Sequence, residues 1–128
     1  MAKITGLGGV FHVVKDPAAT RAWYQENLGI GGEYGPILKW SEEAGKDPYS
    51  LIGPFTTNEY FQPSGKDFMI NLRVDNIDGM VAQLRDKGIE ILGESDEGYG
   101  KFAWFLDCDG VKIELWQQIE GPDAASNE

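Results

Sequence analysis

The chain has 128 residues, a formal net charge of −10 at pH 7, 41% hydrophobic residues and 25% charged residues. This length suits one well-buried domain, and no apolar run approaches the ~20 residues that a membrane span requires. The negative surface field repels phosphate backbones and anionic lipids, so we expect neither nucleic acid nor membrane as a partner. The same field would attract a cationic ligand, although acidic surfaces also serve solubility alone.

The location of the protein is predicted from two features. The opening residues 1–14, MAKITGLGGVFHVV, lack the cationic start and continuous apolar core of a signal peptide. Cys108 is the single cysteine, so no internal disulfide can form. Both features predict a cytoplasmic protein.

In chain order, the first half predicts a strand, a helix and a hairpin. The strand covers roughly residues 8–15, and the helix begins at an Asp-Pro pair and stops at Leu-Gly. The hairpin strands are expected at roughly 33–41 and 49–54, joined by the loop EEAGKDP.

The second half begins with a strand at 68–74 and repeats the order of the first. Its helix carries an apolar stripe at i, i+3, i+4 and i+7, formed by Ile77, Met80, Val81 and Leu84. The segments VVKDPAATRAWYQENLGI and LRVDNIDGMVAQLRDKGI match part for part, which indicates an internal duplication. The residues after Gln118 are predicted to form an acidic, flexible tail, 119–128.

The closing segment from Tyr99 to Trp116 predicts two strands joined by a turn at Asp107-Cys108-Asp109-Gly110. Period-two geometry puts Lys112, Glu114 and Trp116 on one face of the last strand and Val111, Ile113 and Leu115 on the other. The apolar face is predicted to be core. The opposite face pairs a carboxylate with an indole, as ligand cavities often do.

These motifs resemble the vicinal oxygen chelate superfamily, which includes glyoxalase I, bleomycin-resistance proteins and extradiol dioxygenases. The resemblance rests on the bracketed first helix, FMINLRVDNID and FLDCDGVKIELW, and covers about residues 7–118. It implies an α+β fold in which two tandem βαββ(β) modules form a curved mixed sheet around a cavity, with helices on the outer face. A single domain, 1–118, would then consist of halves at about 7–62 and 66–118.

The resemblance also implies four metal-ligand positions, of which this chain keeps one. They fall at Gly9, near Leu51, at Met69 and at Glu114, and only Glu114 has a suitable side chain for a divalent ion. We therefore expect no complete metal site and no cofactor. His12 is the only histidine, and its parity places it on the face opposite Gly9, which favours a structural or interface role.

The same parity predicts a pocket with Glu114 and Arg73 as candidate catalytic residues. If these two residues instead bind each other, the pair is structural. Tyr99, between Gly98 and Gly100, is a candidate lid residue. Individual aromatic residues are equally compatible with a core position. The predicted ligand-binding residues are Phe11, Val13, Trp40, Tyr49, Tyr60, Met69, Asn71, Tyr99, Phe102, Trp104 and Trp116.

Two functions are compatible with this pattern. The first is a metal-free protein that binds a cationic or aromatic small molecule, in the manner of the bleomycin-resistance binders; by that resemblance it would be a homodimer. The alternative is a metal-independent lyase or isomerase in which Glu114 acts as general base and Arg73 as electrophilic partner.

Overall fold

The computed structural model describes residues 9–43 and 47–120. Within these ranges, two α-helices and four strands form an α+β fold, and two single-turn 3₁₀-helices lie between them. No helix in these ranges is long and apolar enough to cross a membrane. The elements are α1 (Pro17–Leu28), α2 (Ile77–Asp86), β1 (Ile70–Arg73), β2 (Gly93–Asp96), β3 (Gly100–Leu106) and β4 (Lys112–Gln118), with 3₁₀-helices at Trp40–Glu42 and Glu59–Phe61.

The four strands form one open, mixed sheet in the order β1-β4-β3-β2. Strand β1 pairs with β4 in parallel, whereas β3 pairs antiparallel with both β4 and β2. In this register Glu114 lies between Asn71 of β1 and Trp104 of β3, and Trp116 is opposite Phe102. The topology therefore brings residues from three strands to one carboxylate.

The predicted alternation of faces on β4 is confirmed. Ile113 and Leu115 are buried in the core with the apolar stripe of α2. Leu84 of that stripe is completely buried, as are Ala103 and Phe105 on β3. Burial of this face holds the register, because a slip of one residue would move the whole apolar set to solvent.

The two helices begin and end alike, as the repeated segments predict. The carboxylate of Asp16 accepts a hydrogen bond from the backbone N–H of Ala19 at 3.2 Å, and the Asn76 side chain accepts one from Gly79 at 3.1 Å. Gly29 and Gly88 follow the helices with φ of 71° and 81°, a left-handed conformation that favours glycine.

The turn between β3 and β4 binds α1 through side-chain hydrogen bonds. The Tyr24 hydroxyl donates to Oδ2 of Asp107 at 2.7 Å, and the Thr20 hydroxyl donates to Oδ2 of Asp109 at 2.6 Å. The other Asp107 oxygen accepts from the backbone N–H groups of Asp109 and Val111 at 2.8 and 2.9 Å. The predicted turn is thus also the docking point of the first helix.

The first half differs from the expectation. No described residue of the predicted strands at 8–15, 33–41 and 49–54 is in a strand, and Trp40 begins a 3₁₀-helix. Phe11 and Leu51 are 98% and 76% exposed. A strand requires a neighbour for its backbone hydrogen bonds, and these segments have no pairing strand among the described residues. The curved two-module sheet is therefore not present within the described part of the chain.

Candidate functional site

Glu114 is a buried carboxylate held by three neutral donors. Its Oε2 accepts hydrogen bonds from the Tyr60 hydroxyl and from Nε1 of Trp104, the latter at 2.8 Å. Its Oε1 accepts from Nδ2 of Asn71 at 2.7 Å. The side chain is only 8% exposed. Burying a charge without such partners would be very costly, so the donors explain how the carboxylate tolerates this position.

The sheet register places two of the three donors, and a 3₁₀-turn places the third. Asn71 and Trp104 flank Glu114 on the neighbouring strands. Tyr60, in the turn Glu59–Phe61, crosses over Trp104 with ring centroids 6.2 Å apart and planes at 86°. Burial and the hydrogen bond to Glu114 both raise the pKa of Tyr60 above its ordinary value, so its hydroxyl remains a donor at neutral pH.

The surroundings of Glu114 do not fit a divalent cation. Its oxygens face O–H and N–H hydrogens of Tyr60, Trp104 and Asn71, whose positive ends point to where an ion would bind. Within the described ranges, no group of three His, Cys, Asp or Glu side chains lies close enough together to hold a metal ion. A divalent ion generally needs about three protein ligands.

Three aromatic side chains stand parallel on the face that carries Glu114. Phe102 lies 6.5 Å from Trp104 and 6.5 Å from Trp116 between ring centroids, with interplanar angles of 11° and 7°. We call Phe102, Trp104 and Trp116 the aromatic row. Tyr99 packs edge-on against Phe102 at 5.9 Å, and Tyr49 packs edge-on against Trp116 at 5.0 Å. These contacts bring five of the predicted ligand-binding residues into one cluster.

Arg73 binds Glu43, and no ion pair joins it to Glu114 in the described residues. Its Nε lies 2.7 Å from Oε2 of Glu43, and its guanidinium also donates to Gln118. The guanidinium lies over the Trp116 ring, 4.5 Å from the centroid. Arg73 thus lies beside the aromatic row and is held by acceptors of its own, so the structural pair with Glu114 considered from the sequence is not formed.

A second cation, Lys112, lies at the other end of the row. Its Nζ is 5.0 Å from the Tyr60 ring centroid and 5.7 Å from that of Trp104, and it donates to the Tyr60 carbonyl at 2.6 Å. Burial lowers the pKa of Lys112, while the charge of Glu114 opposes that shift. The two indole rings of the aromatic row, Trp116 and Trp104, therefore each have a cation of the protein beside them, Arg73 and Lys112 respectively.

Other predicted site residues lie outside this cluster. Phe11 and Val13 are 98% and 93% exposed, and Trp40 is 71% exposed. Met69 is half-buried just before β1. His12 packs edge-on against Phe68 at 5.6 Å. The structure thus assembles the residues of the second half with Tyr49 and Tyr60, and leaves the first-strand candidates apart.

Sequence reasoning missed the contact of Glu43 with Arg73. Glu43 lies in the loop EEAGKDP, where neither periodicity nor a motif singles out one acidic residue. Parity places Lys112 on the Glu114 face, but the sequence pattern indicates no role for it there. Its contact with two aromatic rings depends on the 3₁₀-turn that carries Tyr60, and no sequence signal predicts where that turn docks.

Two cavities lie away from Glu114. One, of about 210 Å³, is lined by Trp23, Ile89, Glu90, Leu92, Leu106 and Asp107. The other, of about 230 Å³, lies between the end of α1 and α2 and includes Arg73, Met80 and Leu115 in its lining. Neither cavity is lined by Glu114 or by a ring of the aromatic row. We place the candidate site at Glu114, where polar groups converge.

No protein-family model matches the sequence, and no curated protein matches it. Several solved structures are similar in fold. TnmS3, an antibiotic binding protein from Streptomyces sp. CB03234, is 23% identical with a TM-score of 0.51, over 86% of this chain and 98% of its own.

Two further structures extend the comparison. A member of the glyoxalase/bleomycin resistance protein/dioxygenase superfamily from Sphaerobacter thermophilus DSM 20745 is 17% identical with a TM-score of 0.50, over 83% of this chain and 91% of its own. A protein from Bacillus anthracis assigned provisionally to the glyoxalase family is 23% identical with a TM-score of 0.52, over 91% of this chain and 100% of its own. These similarities show that the chain has the vicinal oxygen chelate fold.

Proposed function

We propose that this protein binds a small organic molecule, without a metal ion, on the face formed by the aromatic row and Glu114. The observation that carries the proposal is a buried carboxylate, satisfied by neutral donors, beside three parallel aromatic rings. Apolar surface with a few convergent polar groups is the usual composition of a small-molecule site.

The exposure of this face supports a binding site over a sealed core. Asn71 is exposed although its amide bonds to the buried carboxylate, and Phe102 and Trp104 are only partly buried. The opposite face, with Phe105 and Ile113, is completely buried. The sheet thus has one face that is completely buried in the core and one that is partly exposed, on which Glu114 and Trp116 are buried and Asn71, Phe102 and Trp104 are more accessible.

One of the similar structures supports a binding role. TnmS3 is described as an antibiotic binding protein, and it resembles this chain over most of its length. We extend to this chain only the general property of binding a small molecule, because the shared fold also carries enzymes.

We further propose that the protein acts as a homodimer. The first half exposes a set of large apolar side chains that a monomer would rarely leave in solvent. A second copy can cover these residues and supply the strand neighbours that the first-half segments do not find among the described residues. Sedimentation at micromolar concentration should give a mass near twice 14.1 kDa; a monomer at all concentrations would contradict this. The exposed set includes Phe11, Val13, Tyr34, Trp40, Leu51 and Ile52.

The proposed site is tested by replacing Trp104 with alanine. We expect Trp104→Ala to weaken binding of a ligand recovered with the purified protein by roughly 1–3 kcal/mol, with modest loss of stability. If Trp104 were sealed core, truncation would instead cost about 3–5 kcal/mol of unfolding free energy. Chemical denaturation and native mass spectrometry measure the two effects. Trp23→Ala is the matched control, because Trp23 packs against Phe105 on the other side of the sheet.

A second candidate function is proton abstraction by Glu114 in a lyase or isomerase. The hydrogen bond from the Tyr60 hydroxyl to its carboxylate favours this candidate, since Tyr60 could return the proton. Both carboxylate oxygens are already bonded, so a substrate proton would have to displace a donor. Turnover of a panel of oxo-acids and glutathione adducts that disappears in Glu114→Gln would support catalysis, whereas equal rates would exclude it.

A further inference from the structure

The cavity beside Trp23 lies away from the aromatic row and is open to solvent. We call it the Trp23 cavity; its volume is about 210 Å³, and no ring of the aromatic row lines it. The Trp23 ring packs against Phe105, which belongs to the core face of β3. Two other lining residues are accessible, since Glu90 is exposed and Leu92 is 37% exposed. A small molecule can therefore enter this cavity from solvent.

An unpaired part of β3 borders the cavity at Leu106. Strand β2 begins at Gly93, opposite Trp104, and does not continue alongside Leu106. Successive residues of an antiparallel strand direct their N–H and C=O groups to opposite neighbours. The N–H of Asp107 bonds to Val111 on the β4 side, so the N–H and C=O of Leu106 point to the β2 side. Among the described residues they have no hydrogen-bond partner there, which leaves a backbone carbonyl available to a ligand.

Two carboxylates make the cavity negative. The Glu90 carboxylate has no hydrogen-bond or ion-pair partner among the described residues. Asp107 is only 6% exposed, and it accepts hydrogen bonds from neutral groups, the Tyr24 hydroxyl and two backbone N–H groups. No lysine or arginine of the described ranges lines the cavity. Because buried charges in proteins are normally paired, a cation would complete this site.

We propose that the Trp23 cavity binds a primary ammonium group carried on a compact apolar body. An ammonium group has three N–H donors, and the Leu106 carbonyl and the Glu90 carboxylate can accept them. The charge of Asp107 attracts the same group, while the apolar body packs against the Trp23 ring. This is a second binding site, independent of the one proposed at the aromatic row.

The size and charge of the cavity define the ligand further. An apolar cavity of about 150 Å³ can hold a benzene molecule, so about 210 Å³ accommodates one six-membered ring with a short chain. An anion would be repelled by both carboxylates. A quaternary ammonium group has no N–H for the Leu106 carbonyl. The net charge of −10 also attracts cations to the protein.

The first test is a titration of the full chain, followed by ¹⁵N–¹H NMR, with cyclohexylethylammonium and cyclohexylethanol. These compounds share their apolar body, and only the first carries a charge. We expect cyclohexylethylammonium to shift the Trp23 indole signal and the Leu106 amide signal and to leave the Trp104 indole signal in place. Cyclohexylethanol should bind about tenfold more weakly, because it lacks the charge. Trp23→Phe assigns the indole peak.

The trimethylammonium derivative of cyclohexylethylammonium tests the hydrogen bonds. It keeps the charge and the apolar body but has no N–H donor. We expect it to bind about tenfold more weakly than the primary ammonium compound. Equal binding of the two would refute the hydrogen bond to the Leu106 carbonyl.

Variants at the cavity give a further test. Glu90→Gln should weaken cyclohexylethylammonium binding about fivefold. Glu94→Gln is the matched control, because it removes the same charge from a residue that pairs with Arg85 and does not line the cavity; its affinity should stay within about twofold of the unmodified protein. Leu92→Phe should weaken binding about tenfold by filling the cavity, with chemical denaturation showing that the variant is folded.

Four outcomes would overturn the inference. Equal affinity for cyclohexylethylammonium and cyclohexylethanol would refute a cation site. Equal affinities of Glu90→Gln and Glu94→Gln would refute the role of Glu90. Shifts confined to the Trp104 and Trp116 signals would place the compound on the aromatic row instead of in the Trp23 cavity, and no shift of any signal would refute the ligand class. The proposed function at the aromatic row is decided separately, by the Trp104→Ala experiment.

Discussion

At the scale of single residues, Tyr24 shows how one hydroxyl connects distant parts of the chain. It donates to Asp107, 83 positions away, in a buried contact of 2.7 Å. Burial is the main cause that raises the Tyr24 pKa above its ordinary value of 10, and the hydrogen bond to Asp107 raises it further. This tyrosine should stay protonated in the folded protein well into the alkaline range.

We expect Tyr24→Phe to lower the free energy of unfolding by about 1–3 kcal/mol at pH 8, because Asp107 loses a buried partner. Since the folded-state pKa is raised, the stabilisation by Tyr24 is complete below pH 10 and decreases as the pH rises above it. The difference in unfolding free energy between the unmodified protein and Tyr24→Phe should therefore shrink by about 1.4 kcal/mol per pH unit above 10.

Urea denaturation at pH 8 and pH 11 measures this difference. Tyr34→Phe is the control, because Tyr34 is 91% exposed, and it should stay within about 0.5 kcal/mol of the unmodified protein at both pH values. A difference for Tyr24→Phe that grows at pH 11 would contradict the raised pKa.

Cys108 is exposed, yet it should react slowly. Burial around the sulfur and the charges of Asp109 and Asp107 raise the pKa of the thiol to about 11. Because the thiolate is the reactive form, alkylation by iodoacetamide at pH 8.5 should be on the order of tenfold or more slower than that of free cysteine. Asp109→Asn should accelerate the alkylation of Cys108, and the control Asp96→Asn should not. Equal alkylation rates for the two variants would contradict this explanation.

The residues of the candidate site were only partly predictable. Parity on a strand identified Asn71, Glu114 and Trp116, because a strand with one buried face determines where alternate side chains point. The same argument could not find Glu43 as the partner of Arg73, since loop residues carry no periodic signal. It also gave no reason to expect that the indole N–H of Trp116 would have no acceptor among the described residues, because parity does not say which groups surround a side chain.

At the scale of elements, the paired helix ends give a direct test of the duplication. Gly29 and Gly88 both have left-handed φ, and a Cβ at either would meet no atom within 4 Å. The cost of adding a methyl group is therefore conformational. We expect Gly29→Ala and Gly88→Ala each to destabilise the protein by about 1 kcal/mol, measured by thermal or chemical denaturation.

Gly65→Ala is the control for that pair, because it also has open space and no positive φ. It should leave stability within about 0.5 kcal/mol of the unmodified protein. A loss at only one of the two helix ends would show that the halves have diverged in how their helices terminate.

The helices and strands with the strongest local sequence signals were the ones predicted correctly. Helix α2 has a clean apolar stripe and a cap, and the β3–β4 hairpin has a turn motif between apolar segments, so both were predicted and are present. The first-half strands had β-forming residues as well. A strand exists only when a neighbour accepts its backbone hydrogen bonds, however, and the sequence of one segment does not state which neighbour that is.

At the scale of the whole molecule, burial is divided unevenly between the two halves. The core consists of α2 and the sheet, with Trp23 and Leu28 of α1 packed against it, whereas Phe11, Val13, Leu51 and other first-half residues are exposed. The proposed homodimer would bury these exposed residues.

If a second copy covers the first half, amide exchange should report it. We expect residues 9–15 and 49–55 to exchange slowly at high protein concentration and fast on dilution, because pairing protects their N–H groups. Residues 100–118, already paired within one chain, should be protected at both concentrations and serve as the internal reference. Fast exchange of 9–15 at every concentration would contradict the homodimer.

The docking of α1 on the β3–β4 turn has a consequence for the order of folding. Strands β2, β3 and β4 are consecutive and close by short loops, whereas the bonds of Thr20 and Tyr24 to the turn span 89 and 83 positions. Closing a longer loop costs more entropy and slows assembly, so α1 should attach to a sheet that already exists. Trp23, the one tryptophan on α1, would then report the last step of folding, after Trp104 and Trp116 have reported the first.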